Sequence, residues 1–109
     1  MTRASKPLLK LSEKQVTEQC IGWLRSQGYF CIRLNSGLLK TPDGRTIRIG
    51  EKNIPDWAVL KGHEYWLMEF KATGKAPSAD QFQFCSDMRK RGFRVMWADG
   101  LDAMRGNMA

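Results

Sequence analysis

Asp56, which follows Pro55, and the run Glu69-Phe70-Lys71 beginning thirteen residues after that aspartate are the strongest candidates for chemistry in this chain. Two acids and a lysine suffice to hold a hard cation and place an ammonium beside it, provided the backbone brings them together. Pro55-Asp56-Trp57-Ala58-Val59-Leu60 and Glu64-Tyr65-Trp66-Leu67-Met68-Glu69-Phe70-Lys71 are both short apolar runs rich in aromatic and β-branched residues, as strands are. Lys61-Gly62-His63 suits a turn between them. Side chains alternate along a strand, so Leu67, Glu69 and Lys71 share one face while Trp66, Met68 and Phe70 line the other. Glu69 and Lys71 then stand roughly 7 Å apart at their α-carbons, beside the start of the strand carrying Asp56. Mg²⁺ and Mn²⁺ prefer carboxylate, carbonyl and water oxygens. Asp56, Glu69 and a backbone carbonyl at the strand edge therefore make an incomplete shell that water and phosphate would complete. Lys71 would orient the attacking water or stabilise charge developing on phosphate.

Alternating charged and apolar residues are also ordinary in a half-exposed edge strand, and the next segment bears on the choice. After Lys71 comes the polar loop Ala72-Thr73-Gly74-Lys75-Ala76-Pro77-Ser78, then a helical pattern from Ala79 to Gly92. Ser78 is a good N-cap, Phe82, Cys85 and Met88 with Phe84 form an apolar stripe, and basic residues crowd the last turn before Gly92. The helix starts beside the Lys71 end of its strand, which lets Gln81, in its first turn, reach the site.

Pro-Asp, then Glu-X-Lys on the next strand, then a loop and a helix with an early Gln is a pattern that resembles the PD-(D/E)XK nuclease superfamily. More narrowly, it resembles the virus-type replication-repair nuclease branch, the VRR-NUC domains. The likeness runs from about Ser12 to about Trp97 and includes Leu11-Ser12-Glu13-Lys14-Gln15-Val16 and the stretch from Gly28 to Gly37. It implies a restriction-endonuclease-like core in which Asp56 and Glu69 ligate the metal, the Phe70 carbonyl adds an oxygen, Lys71 assists the attacking water and Gln81 is the helix glutamine. It also implies a glutamate on the first helix near the metal. Glu13 extends the Val16, Cys20, Leu24 stripe by a turn toward the N-terminus and is preferred, with Glu18, off that stripe, as the alternative; a first-turn acid beside the cap Ser12 is also what the helix dipole favours. One departure is Asn53-Ile54 before Pro55, where relatives often carry glycine.

At 109 residues the chain is long enough for one small domain. Eighteen Lys and Arg against eleven Asp and Glu give a net charge of +7, which suits a polyanionic partner such as DNA. The excess is scattered over the amino-terminal segment, over Lys40, Arg45, Arg48 and Lys52, and over Lys75 and the end of the second helix. Arg45, Arg48 and Lys75 are the candidates for contact with DNA phosphates, which weakens steeply with salt. Three cysteines without paired ligand spacing make neither a disulfide framework nor a zinc site. Cys20, Cys31 and Cys85 read as core residues in a reducing cytoplasm. No apolar run approaches the ~20 residues that span a membrane, and no signal-peptide hydrophobic region is legible, so a soluble cytoplasmic protein is expected. His63, the one histidine, falls in a turn and reads as a bystander.

The elements that must position these residues follow in order. Residues 1–10 read as a flexible basic start, and 11–109 as a single domain. A helix from Glu13 to Gln27 ends at Gly28, a strand runs from Tyr29 to Leu34, and an irregular arm or small hairpin from Leu38 to Ile49 turns at Pro42-Asp43-Gly44. After the site strands and second helix, Phe93 to Trp97 is a last strand and Asp99 to Met104 a short helix. This αβββαβ order predicts an α/β domain with a central mixed sheet flanked by helices. Trp23, Trp66 and Trp97 are assigned to the core or an interface, and Trp57 to the sheet face away from the carboxylates. Surplus apolar surface points to a homodimer, whose paired sites would suit branched DNA. Family analogy extends this to a structure-selective endonuclease of the Holliday-junction resolvase kind. A sequence-specific restriction-type endonuclease, a non-catalytic DNA-binding module and a structural protein that uses the sheet only for assembly are the alternatives.

Overall fold

A computed structural model describes residues 10–34 and 37–109. The expected basic start therefore lies outside the described residues except for Lys10, which is exposed. The first element is α1 (Glu13–Ser26), opened by a capping box in which the Ser12 hydroxyl accepts from the Gln15 N–H and the Gln15 side chain accepts from the Ser12 N–H. Val16, Cys20, Ile21 and Leu24 form its buried stripe. Gly28, at φ 89°, turns the chain out of the helix with the left-handed backbone that glycine adopts without strain.

Four strands make the main sheet: β1 (Phe30–Arg33), β4 (Trp57–Lys61), β5 (Glu64–Phe70) and β6 (Val95–Ala98), in the order β1-β4-β5-β6. β1 and β4 are antiparallel, as are β4 and β5, while β5 and β6 run parallel, so the sheet is mixed. Antiparallel neighbours are joined tightly at Gly62-His63, whose glycine takes φ 58°. The parallel pair needs a crossover, and α2 (Ala79–Lys90) supplies it. A final helix, α3 (Leu101–Met108), follows β6.

Between β1 and β4 the chain leaves the sheet. β2 (Gly37–Lys40) and β3 (Thr46–Ile49) pair only with each other, as an antiparallel hairpin closed over Thr41 to Arg45. Among the described residues it packs extensively against no helix and no strand of the main sheet.

The core lies on one face of that sheet. Met68 and Phe70 of β5, Val59 of β4 and Met96 and Ala98 of β6 pack against Val16, Cys20 and Leu24 of α1 and Met104 of α3. α2 covers the opposite face and packs chiefly on β6. The expected α/β order with helices on both faces is thus present, with two helices on one side and one on the other. Two expectations about burial need correction. Phe82, assigned to a buried stripe, is 46 % exposed: among the described residues α2 packs chiefly on β6. Cys31 is half-buried rather than enclosed because β1 is an edge strand.

Candidate functional site at the sheet end

The alternation of β5 sends Met68 and Phe70 into the core and leaves Glu69 on the α2 face. Trp57 is the Cα partner of Met68, so Asp56, one residue before it, comes level with Glu69 and on the same face. Asp56 stands just outside β4, between Pro55 and the first residue of the strand, Trp57. The Leu34 N–H nevertheless donates to the Asp56 carbonyl (2.6 Å), which fixes the backbone at the carboxylate.

Glu69 is the one buried charged side chain among the described residues, 6 % exposed. Lys71 Nζ lies 3.8 Å from its Oε2. Burial first, then the nearby Asp56 charge, push the Glu69 carboxyl up from its ordinary 4.5 to about 7; Lys71 opposes this, and a hydrogen bond with Asp56 and the charge of Glu13 add to it. Two carboxyls crowded at a partly dehydrated strand end, with one ammonium beside them, hold more negative charge than the lysine alone offsets.

Glu13 is brought to this place by the start of α1. Leu11 and Thr73 clasp each other: the Leu11 N–H donates to Thr73 Oγ1 (3.0 Å) and the Thr73 N–H to the Leu11 carbonyl (3.0 Å). This clasp holds the first turn of α1 against the loop after β5. Glu13 and Glu18 both line a cleft of about 330 Å³ between α1 and Asp56. Glu13 is the one whose charge bears on Glu69.

Gln81 sits at the third position of α2, where its side chain accepts from the Ser78 N–H (3.0 Å) while Ser78 Oγ accepts from the Gln81 N–H (3.2 Å). Its carbonyl oxygen thus closes a capping box, and its amide nitrogen is what remains for the site. Phe70 ends β5 with its ring in the core and its backbone carbonyl at the strand terminus. Lys75 is exposed in the loop after Lys71. Arg45 lies in the turn of the β2–β3 hairpin, exposed and paired with Asp43 at 2.9 Å, on an arm apart from the carboxylates. The Arg48 side chain lies outside the described residues.

Arg33 belongs to this neighbourhood and was not singled out from sequence. It closes β1, is the Cα partner of Trp57 and lines the cleft with Asp56 and Glu13. Only the β1–β4 register reveals that adjacency, and register is not a local property of a sequence. Asn53 takes φ 65°. Asn is among the few non-glycine residues that enter this region readily, so asparagine there meets the conformation that glycine would otherwise serve.

The donor chemistry is all oxygen on the carboxylate side, as Mg²⁺ and Mn²⁺ prefer. Among the described residues no three His, Cys, Asp or Glu side chains converge into a ready shell. Asp56, Glu69 and a strand carbonyl would leave the remaining positions to water and phosphate, which is how Mg²⁺ is commonly held. Among the described residues no helix is long and apolar enough to cross a membrane. No family model, characterised protein or solved structure matches the chain.

Proposed function

We propose that this protein is a divalent-metal-dependent endonuclease that hydrolyses phosphodiester bonds in DNA, built on a restriction-endonuclease-like core of the VRR-NUC kind. One observation carries the reading: Asp56, Glu69 and Lys71 meet at one strand end, with Glu69 buried, crowded by Asp56 and 3.8 Å from the Lys71 ammonium. A purely structural ion pair has no need of the second carboxyl, which raises the pKa of the first and costs stability.

Asp56, Glu69 and the Phe70 carbonyl would hold the cation, Mg²⁺ or Mn²⁺. When bound, it supplies positive charge to the scissile phosphate and lowers the pKa of the attacking water. Lys71 Nζ, anchored by Glu69, donates to that water or to a phosphate oxygen and stabilises the charge gained there. Glu13, on the pinned first turn of α1, adds an acid next to the carboxylate pair, and Arg33, on the cleft wall, offers a cation to a neighbouring phosphate. The net charge of +7 draws the polyanion in.

Branched DNA is the substrate class this reading favours, with a homodimer presenting two such sites to a junction. Cleavage of a four-way junction, a flap and a linear duplex should be compared for wild type and Lys71→Ala in Mg²⁺, Mn²⁺ and chelator. Metal-dependent cutting of the branched substrates, reduced at least about a hundredfold in the variant, is the expected result. Preference for one duplex sequence would identify a restriction-type enzyme instead. Salt-sensitive binding with no cutting in either metal would leave a DNA-binding module and end the nuclease reading.

A further inference from the structure

On the outer flank of α2 lies a second feature that the carboxylate site does not use. Phe82 and Trp97 meet edge to face, with ring centroids 5.8 Å apart and planes at 77°. Both are incompletely covered, Phe82 being 46 % exposed. With Cys85, Ser86, Arg89 and Lys90 they line an open groove of about 470 Å³, within the range that admits a ligand of nucleotide size.

The groove begins beside the carboxylates. Trp97 is the Cα partner of Glu69 in the parallel β5–β6 register, which places their backbones about 4.8 Å apart. The Cys85 thiol, in the middle of the groove, feels the charges of both Glu69 and Arg89. From Phe82 to Lys90 the helix carries the groove roughly 12 Å onward at 1.5 Å per residue, and Arg91 and Arg94 extend the positive charge past its end.

Two ion pairs, Arg45–Asp43 and Lys71–Glu69, are the only ones among the described residues. Arg89, Lys90 and Arg91 are in neither pair, and Arg94, over the Trp66 ring at 5.3 Å, is likewise in neither. Arg89 is held in position, its Nε donating to the Val95 carbonyl at 2.7 Å. A basic last turn is favoured by the helix dipole alone, but the dipole gives no reason for an incompletely covered aromatic pair at the other end of the same groove. Aromatic faces followed by a row of cations are how proteins hold unpaired nucleic acid, stacking the bases and neutralising the phosphates.

We propose that the groove between α2 and β6 binds single-stranded DNA, with a base stacked on the Phe82–Trp97 pair and the following phosphates against Arg89 and Lys90. The unpaired strand of a branched substrate would then run directly to the Asp56–Glu69–Lys71 end of the sheet. This deepens the nuclease reading and rests on it for the purpose of the bound strand. Binding itself is measurable without cleavage.

The test is fluorescence anisotropy of a labelled oligothymidylate and of a duplex of equal length, in chelator and at low salt. Wild type should prefer the single strand, Phe82→Ala should weaken that binding about tenfold and leave duplex affinity unchanged, and Phe82→Tyr should restore it. Lys90→Glu, on the surface, should weaken the single-strand affinity and flatten its salt dependence. With metal present, Phe82→Ala should lose flap cleavage. Because anisotropy is read in chelator, the binding result stands even if no substrate is cut. Unchanged oligothymidylate affinity in Phe82→Ala would overturn the proposal. So would a fall in sedimentation mass in that variant with single-strand binding intact, which would make the groove a contact between two copies of the chain.

Discussion

Glu69 combines two opposed demands, and pH separates them. Its carboxyl is held up at about 7 in the folded chain against an ordinary 4.5, chiefly by burial and by Asp56. The folded state therefore binds this proton more tightly than the unfolded state. The stabilisation is full below about pH 4.5 and is lost as the pH rises through about 7. In chelator, Glu69→Gln should melt with wild type at pH 4 and above it at pH 8, a gap that opens across that interval. Thermal melts that stay parallel over the whole range would contradict the crowded-carboxyl account. If Glu69 is a metal ligand as proposed, Mg²⁺ or Mn²⁺ should raise the wild-type midpoint and not that of the variant. The position of Glu69 was readable in advance because strand alternation is local: once Trp66, Met68 and Phe70 are taken as core, Glu69 must face away from them. Its neighbour Arg33 was not readable, because nothing in either segment states that Arg33 lies opposite Trp57.

Among the elements, Gln81 shows how one residue type at one spacing serves two ends. An early glutamine on α2 fits both a capping box with Ser78 and the site role expected from sequence, and the structure commits its carbonyl oxygen to the cap. The stripe on α2 teaches a similar lesson. Helical period tells which residues can be buried together, while the extent of burial depends on how much sheet lies beneath, and here only β6 does. The β2–β3 hairpin was legible as an arm turning at Pro42-Asp43-Gly44, and its independence of the sheet yields a prediction. A lone two-stranded hairpin adds little to stability, and Leu38 and Ile47 on it are 66 % and 44 % exposed. Replacing residues 38–49 by a short Gly-Ser linker should leave the thermal midpoint within about 4 °C, the shift that roughly 1 kcal/mol produces in a domain of this size. If the arm holds DNA through Lys40 and Arg45, the same deletion should weaken binding several-fold and lower its salt dependence. A large loss of stability with DNA affinity unchanged would make the arm a structural part of the fold instead.

At the scale of the molecule, one sheet face remains only partly clothed. α2 shields β6, but Phe30 and Ile32 of β1 and Leu60 of β4 share that face and are 59 %, 40 % and 37 % exposed. Sequence composition suggests surplus apolar surface without saying where it lies, because placing it requires the strand order. This band predicts that two copies associate through it. Three side chains fall well short of the ~800 Å² that each partner of a stable complex contributes, so the association should be weak and concentration-dependent. The net charge of +7 on each copy opposes the approach. Salt screens that repulsion, whereas it weakens contacts to phosphate, so the two equilibria should move in opposite directions. Sedimentation should show the dimer fraction rising between 50 and 300 mM salt, both about the range where screening changes most, while DNA affinity falls over the same interval. Ile32→Lys, at an edge strand where lysine is well tolerated, should be monomeric throughout and remain folded. If its junction cleavage then falls to the level of single nicks while its cutting of a flap persists, the paired sites are what a junction requires; wild type that stays monomeric at every concentration would instead assign the whole activity to one site.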